Sequence, residues 1–171
     1  IDNSVIISNP SSKGVSNNNL VILGTNHKLS IILEEYDKYV SKGTRVTIVD
    51  DDLDESLIGT YDNIDISICN NAATKSFLTE ITSNDDNNNI LLLNDDSNDT
   101  EISDSNTLVS LLFLRDIASK TGKTFSITSE MHHAENQKLA DTIHVDDFVI
   151  GSNFSSLLMA QLSENKNILP I

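Results

Sequence analysis

Residues 20–24, Leu-Val-Ile-Leu-Gly, form an unbroken apolar run that stops on a glycine, and an amphipathic segment follows almost at once. In that segment Leu29, Ile32, Leu33, Tyr36 and Val40 recur at the spacing of one helix face. Gly43 stands where such a helix would be capped. A second apolar run, 45–49, then closes on Asp50-Asp51-Asp52. A continuously apolar strand belongs in a parallel sheet covered on both faces, and a strand–helix–strand passage of this length makes a right-handed crossover. Few other arrangements accept this opening.

The rest of the chain repeats the alternation. A short turn or helix is expected at 53–58, a strand at 64–69 and a helix at 72–81 with Phe77, Leu78 and Ile81 apolar. A strand at 90–93 follows. Residues 94–106 read as a long polar loop. They give way to 107–120, where Leu108, Val109, Leu111, Leu112, Phe113 and Leu114 cover almost the whole circumference of a helix ended by Lys120 and Gly122. A helix apolar all round is expected to be buried. A strand at 124–129, a helix at 135–143 with Leu139 inward, a strand at 147–150 and a helix beginning near Ser152, with Leu157, Leu158 and Leu162 on its apolar side, complete the pattern. The fold expected is α/β, a Rossmann-like doubly wound parallel sheet of about six strands in the order 3-2-1-4-5-6, with helices on both faces. The domain is expected over 20–165. It follows a Ser/Asn-rich linker, 1–19, in which Val5-Ile6-Ile7 makes a short strand, and a tail, 166–171, comes after it. A start at Ile1 rather than methionine points to a piece of a longer protein.

Charge narrows the partners. The chain carries a formal net charge of −15 among 171 residues. Such a surface repels phosphate backbones and anionic lipid and draws cations, so neither nucleic acid nor peripheral membrane binding is expected, and direct membrane insertion is not expected either. No apolar run approaches the roughly 18 residues of a membrane span. Cys69 is the only cysteine, so no disulfide forms within the chain, and its apolar strand makes it core filler.

The turn after the first strand is where this fold holds a nucleotide. The three fingerprint positions hold Gly24, Asn26 and Leu29, so one glycine of three remains. A side chain at Asn26 obstructs the approach of a pyrophosphate, and three acids in a row would repel it. NAD or another nucleotide is therefore the less favoured ligand, although Asp50 stands where an acid would hold ribose hydroxyls. Gly24, Thr25, Asn26, Asp50 and Asn70, at the carboxyl ends of the first three strands, are the candidate ligand-binding residues. Acids at the ends of the fourth and fifth strands, Asp95, Asp96 and Glu130, are the candidate metal ligands, with oxygen chemistry that suits Ca²⁺ or Mg²⁺. The run from Asp96 to Thr100 begins like an EF-hand loop but lacks its glycine and closing Glu. The competing reading makes 95–104 a solvated loop whose acids favour the helix start beyond it. His132 and His133 do not share a helix face, His27 and His144 are distant, and no set has zinc spacing. With no nucleophile elbow, no catalytic group is expected and the chain reads as a non-enzyme. A nucleotide-dependent enzyme is the alternative, kept by Gly24 and Asp50.

The string Asp104-Ser105-Asn106-Thr107-Leu108-Val109-Ser110-Leu111-Leu112-Phe113-Leu114-Arg115-Asp116-Ile117 resembles the D-S-R-(S/T)-L-x-x-L-L-x-(I/L)-R-D-I segment of the CASTOR/POLLUX ion channels and their microbial relatives. The similarity takes in Ile22-Leu23-Gly24-Thr25-Asn26, the stretch 33–44, Ser129-Glu130, 146–150 and 156–165, so it covers 20–165. The resemblance implies an RCK (regulator of K⁺ conductance) type domain on the cytosolic side of a tetrameric cation channel. Such a domain assembles with its copies, as a dimer or a tetrameric or octameric gating ring, and is joined to the pore domain of the same parent chain. Some members bind Ca²⁺ through carboxylates after the fourth and fifth strands, which here are Asp95 and Glu130. The chain departs from the family at Thr25-Asn26, where a Trp-Arg-like pair is common, and its loops at 52–62 and 83–89 are short.

Overall fold

A computed structural model describes residues 19–84, 89–96, 99–142 and, by backbone alone, 147–150. The expected strand at Val5-Ile6-Ile7, the helix after Ser152, His144 and the tail 166–171 lie outside the described residues. Six parallel strands run in the order β3-β2-β1-β4-β5-β6, as the alternation requires. They are β1 (Leu20–Leu23), β2 (Thr44–Val49), β3 (Ile64–Cys69), β4 (Asn89–Leu92), β5 (Ser126–Met131) and β6 (Asp147–Ile150). At the centre β1 pairs with both β2 and β4, Ile22 lying between Ile48 and Leu91. The order of strands reverses between β1 and β4, and ligands of this architecture enter there, at the carboxyl edge.

Alternation along the strands divides the core into two layers. Leu20, Ile22, Val46, Ile48, Leu91 and Leu93 point to one face and meet Leu29, Ile32, Leu33 and Tyr36 of α1 (Leu29–Tyr39). Val21, Leu23, Ile90, Leu92, Ile127 and Met131 point to the other. There they meet Leu78 of α2 (Lys75–Ile81), Leu111, Leu114 and Ile117 of α3 (Thr100–Thr121) and Ala140 of α4 (Ala134–Thr142). Cys69 packs against this second layer at its margin. A single 3-10 turn, Glu55–Leu57, joins β2 to β3, and Asp54 caps it by accepting the Ser56 N–H.

Four local expectations are corrected. First, α3 begins at Thr100 with Asp99 as its cap, so the polar stretch 100–106 is helix and not loop. Its polar residues are compatible with helix because Ser103 and Thr107 turn to the sheet edge while Glu101 and Ser105 face water. Second, α3 is not buried all round: Ile102, Val109 and Leu112 are 57%, 45% and 52% exposed. Third, Leu139 faces outward and Ala140 fills the core place on α4, because close approach to α3 favours the smaller side chain. Fourth, Gly43 does not cap α1, which ends at Val40 in extended backbone. Its φ of +87° instead turns the chain into β2. Gly122, in left-handed backbone, does end α3, its N–H donating to the Ala118 carbonyl.

Candidate functional site

The β1–α1 turn lies at the carboxyl edge of the sheet. Gly24 has φ +80°, and a Cβ there would stand 2.6 Å from the Leu93 carbonyl oxygen. The glycine is thus demanded by the neighbouring strand end, whatever binds outside. Its N–H donates to the Val49 carbonyl at 2.9 Å. Asn26, where a dinucleotide fold has its second glycine, is 6% exposed and fully used. Its amide nitrogen donates to the Asn94 carbonyl and to Glu130 Oε2, both at 2.8 Å, and its oxygen accepts the Lys28 N–H at 2.9 Å. The space that a pyrophosphate needs is filled by a side chain that ties β1 to β4 and β5.

Glu130 stands inside β5 and is fully buried. It accepts the Asn94 N–H at 3.1 Å and pairs with the ammonium of Lys28. Asp96 lies outside, pairing with the imidazole of His27. Asp95 faces a cleft, with its N–H held by Ser103 Oγ at 3.1 Å. The three candidate metal ligands are therefore not brought together, and Lys28 supplies the positive charge expected of an ion at Glu130. Among the described residues, no three His, Cys, Asp or Glu side chains are placed to hold one metal ion.

Asn94 continues the chain of polar contacts on its far side. Its amide accepts from Thr107 and donates to Asp104 Oδ1 at 2.8 Å. Asp104 is the residue that sequence reasoning missed. It is fully buried, and it also accepts the His132 N–H at 2.8 Å, the His133 N–H at 3.0 Å and Asn136 Nδ2 at 2.8 Å, with His133 Nδ1 at 3.0 Å. Burial works against its charged form, but the hydrogen bonds from Asn136, His132 and His133 outweigh it and hold the carboxyl below its ordinary value. This carboxylate sets the β5–α4 turn. Its one sequence signal was its place at the head of the string 104–117.

Beside this network opens a cleft of about 310 Å³ at the strand ends. Its floor is apolar, with Leu23, Val49, Leu92 and Ala72. Ser103, Asn106, Thr107 and Ser110, one face of α3 at i, i+3, i+4 and i+7, make one wall. Asp50, Asp51, Asp52 and Asp95 ring it, and no described lining residue is basic. Asp50 accepts from Thr25 Oγ1 and from the Asp52 N–H, so both its oxygens are engaged within the loop. Of the five candidate ligand residues, Gly24, Thr25 and Asp50 line the cleft, Asn26 is buried and does not line it, and Asn70 is exposed while its neighbour Asn71 takes the lining place. A cleft of this composition suits a cation and opposes a phosphate.

No family model matches the chain, and no curated protein matches it. Among solved structures, it is similar to the human SLO3 gating ring, with a TM-score of 0.56 and 10% identity. The match covers 77% of this chain and 24% of that one, so the chain spans about a quarter of the length of that relative. The likeness is one of fold.

Proposed function

We propose that this is a non-catalytic, RCK-like regulatory domain of a cation channel, in which a cation entering the cleft ringed by Asp50–Asp52 and Asp95 shifts the conformational balance of an assembly of copies. Its place would be the cytosolic side of a membrane protein whose pore lies elsewhere in the parent chain. The observation that carries the reading is that the dinucleotide cradle is filled by Asn26 while an acidic cleft, with no basic residue among its described lining, stays open beside it. The likeness of fold to a gating ring supports it, and the resemblance of 104–117 to a CASTOR/POLLUX segment motivates it. No described helix is long and apolar enough to cross a membrane.

The effector that fits best is Ca²⁺ or Mg²⁺ with part of its water. Among the described residues no three carboxylates are already placed to hold one ion, so binding would draw the exposed Asp51-Asp52 turn towards Asp95. A ligand that prefers the drawn-in state supplies the differential affinity that a switch requires. Millimolar Ca²⁺ or Mg²⁺ is expected to raise the melting temperature by a few degrees, as mass action predicts for a site near saturation. Asp51→Asn combined with Asp95→Asn should remove most of that rise. Absence of any shift in the wild type with either ion would sink the cation effector.

Assembly would use the outer face of α3, where Ile102, Val109 and Leu112 lie exposed on one side of the helix. Leu112→Asp is expected to move the protein to a smaller species in light scattering while its circular dichroism stays native. An unchanged mass would place the contact elsewhere. We keep one alternative, a nucleotide-dependent enzyme, because Gly24 and Asp50 line the cleft; calorimetric titration with NAD(H) and ATP separates the two readings.

A further inference from the structure

The start of α1 is where a doubly wound fold receives phosphate, because its first N–H groups are free and its dipole favours negative charge. In this protein the two N–H groups just ahead of α1 already hold acceptors of the chain itself. The His27 N–H donates to Asp96 Oδ2 at 3.3 Å, and the same oxygen meets the His27 ring. The Lys28 N–H donates to Asn26 Oδ1 at 2.9 Å. The Lys28 ammonium, on a side chain only 16% exposed, pairs with Glu130, whose side chain has no exposed surface. The three acceptors come from three segments: the β1 turn, the loop after β4, and β5. Helix α1 has no acid in its first turn and no side-chain cap at Lys28, so the negative charge that its start favours arrives from elsewhere in the fold.

We propose that Glu130 and Asp96 are specificity-determining residues: tethered anions that occupy the phosphate subsite of the fold and close the domain to phosphate-bearing ligands. Asn26 and Lys28 provide the donors that a phosphate would otherwise use, and both are committed inward. A phosphate at the His27 N–H would have to displace Asp96, and one reaching the Lys28 ammonium would have to leave the buried Glu130 without its lysine, which is costly for a charge in a dry site. Exclusion of phosphate at the start of α1 holds whether or not the neighbouring cleft serves a channel.

The test is titration calorimetry with inorganic phosphate and with AMP on four proteins: wild type, Asp96→Asn, Asp96→Asn with Glu130→Gln, and that double variant with Lys28→Met. The double variant keeps the shapes and removes both charges, so phosphate is expected to bind it on the order of tenfold or more tighter than wild type. Adding Lys28→Met should abolish the gain. Wild type that binds phosphate as tightly as the double variant overturns the proposal. So does a double variant with native circular dichroism and no gain, or a gain that survives Lys28→Met. Should the double variant fail to fold, Asp96→Asn decides, since that side chain is 33% exposed and its loss is tolerable to the fold. A gain of several-fold in that variant supports the proposal and an unchanged affinity overturns it.

Discussion

Asp104→Ala is expected to cost about 3–5 kcal/mol of folding stability, the usual scale for breaking a buried charged network by removing one partner. For a domain of this size that is a fall in melting temperature on the order of 10 °C. The side chain has no exposed surface and ties Asn94, at the end of β4, to the turn and first residues that start α4. Alanine leaves Asn94 Nδ2 buried without an acceptor and frees the N–H groups of His132 and His133. Asp104→Asn keeps the volume but turns an amide N–H₂ towards those donors, so it should fail nearly as badly. A loss below about 1 kcal/mol in urea denaturation for either variant would show that the network is dispensable. The charge also gives a pH signature. The folded carboxyl lies below its unfolded value, so its contribution is present above an unfolded pKa of about 3.9 and is lost as pH falls through the folded value. The wild type should therefore lose stability below about pH 4, and part of that loss should be absent from Asp104→Ala. Asp37, held low by the N–H groups of Asn63, Asp62 and Ile64 against the opposing effect of desolvation, contributes in the same window and persists in the variant.

Gly24→Ala is the second large effect, on the order of 3 kcal/mol. Left-handed backbone costs a residue with a Cβ about 1–2 kcal/mol. The rest comes from contact: the new Cβ would lie 2.6 Å from a backbone oxygen, Leu93 O, in a strand end that cannot withdraw without breaking the Leu93 N–H bond to the Leu23 carbonyl. Gly43→Ala is the control. Its φ is +87°, but nothing lies within 4 Å of its added Cβ, so only the dihedral cost remains. Equal losses in the two variants, measured by thermal or urea unfolding, would show that the close approach to β4 carries no energy of its own.

The strand order was legible because it follows from local signals. Continuous apolar runs, helical spacing between them and a glycine at the first turn leave little choice for a parallel sheet. The start of α3 was not legible, because its first two turns are written in polar residues. Ser103 and Thr107 serve the sheet edge there, and periodicity counts only apolar positions. Burial of α3 was misread for a related reason: an isolated chain does not show that Leu111 and Leu114 meet the sheet while Val109 and Leu112 do not. The carboxylates were found in number but not in role. Acids at strand ends are visible in a sequence. That Glu130 would be met by Lys28, which stands 102 residues earlier, is not, because such pairing depends on the closed sheet. Asp104 escaped for the same reason, since its donors come from residues as far as 136.

Asn94 joins the two buried carboxylates, giving its main-chain N–H to Glu130 and its side-chain N–H₂ to Asp104. This arrangement links positions 26, 94, 104, 130 and 136, none of which can change alone without orphaning a partner. Related sequences should therefore be recognisable by concerted exchange at these polar positions rather than by glycines. A relative with glycine at position 26 has no amide to hold Glu130, and the acid and Lys28 should be missing from it together. This hydrogen-bonded set offers a kinship pattern that a count of glycines would overlook.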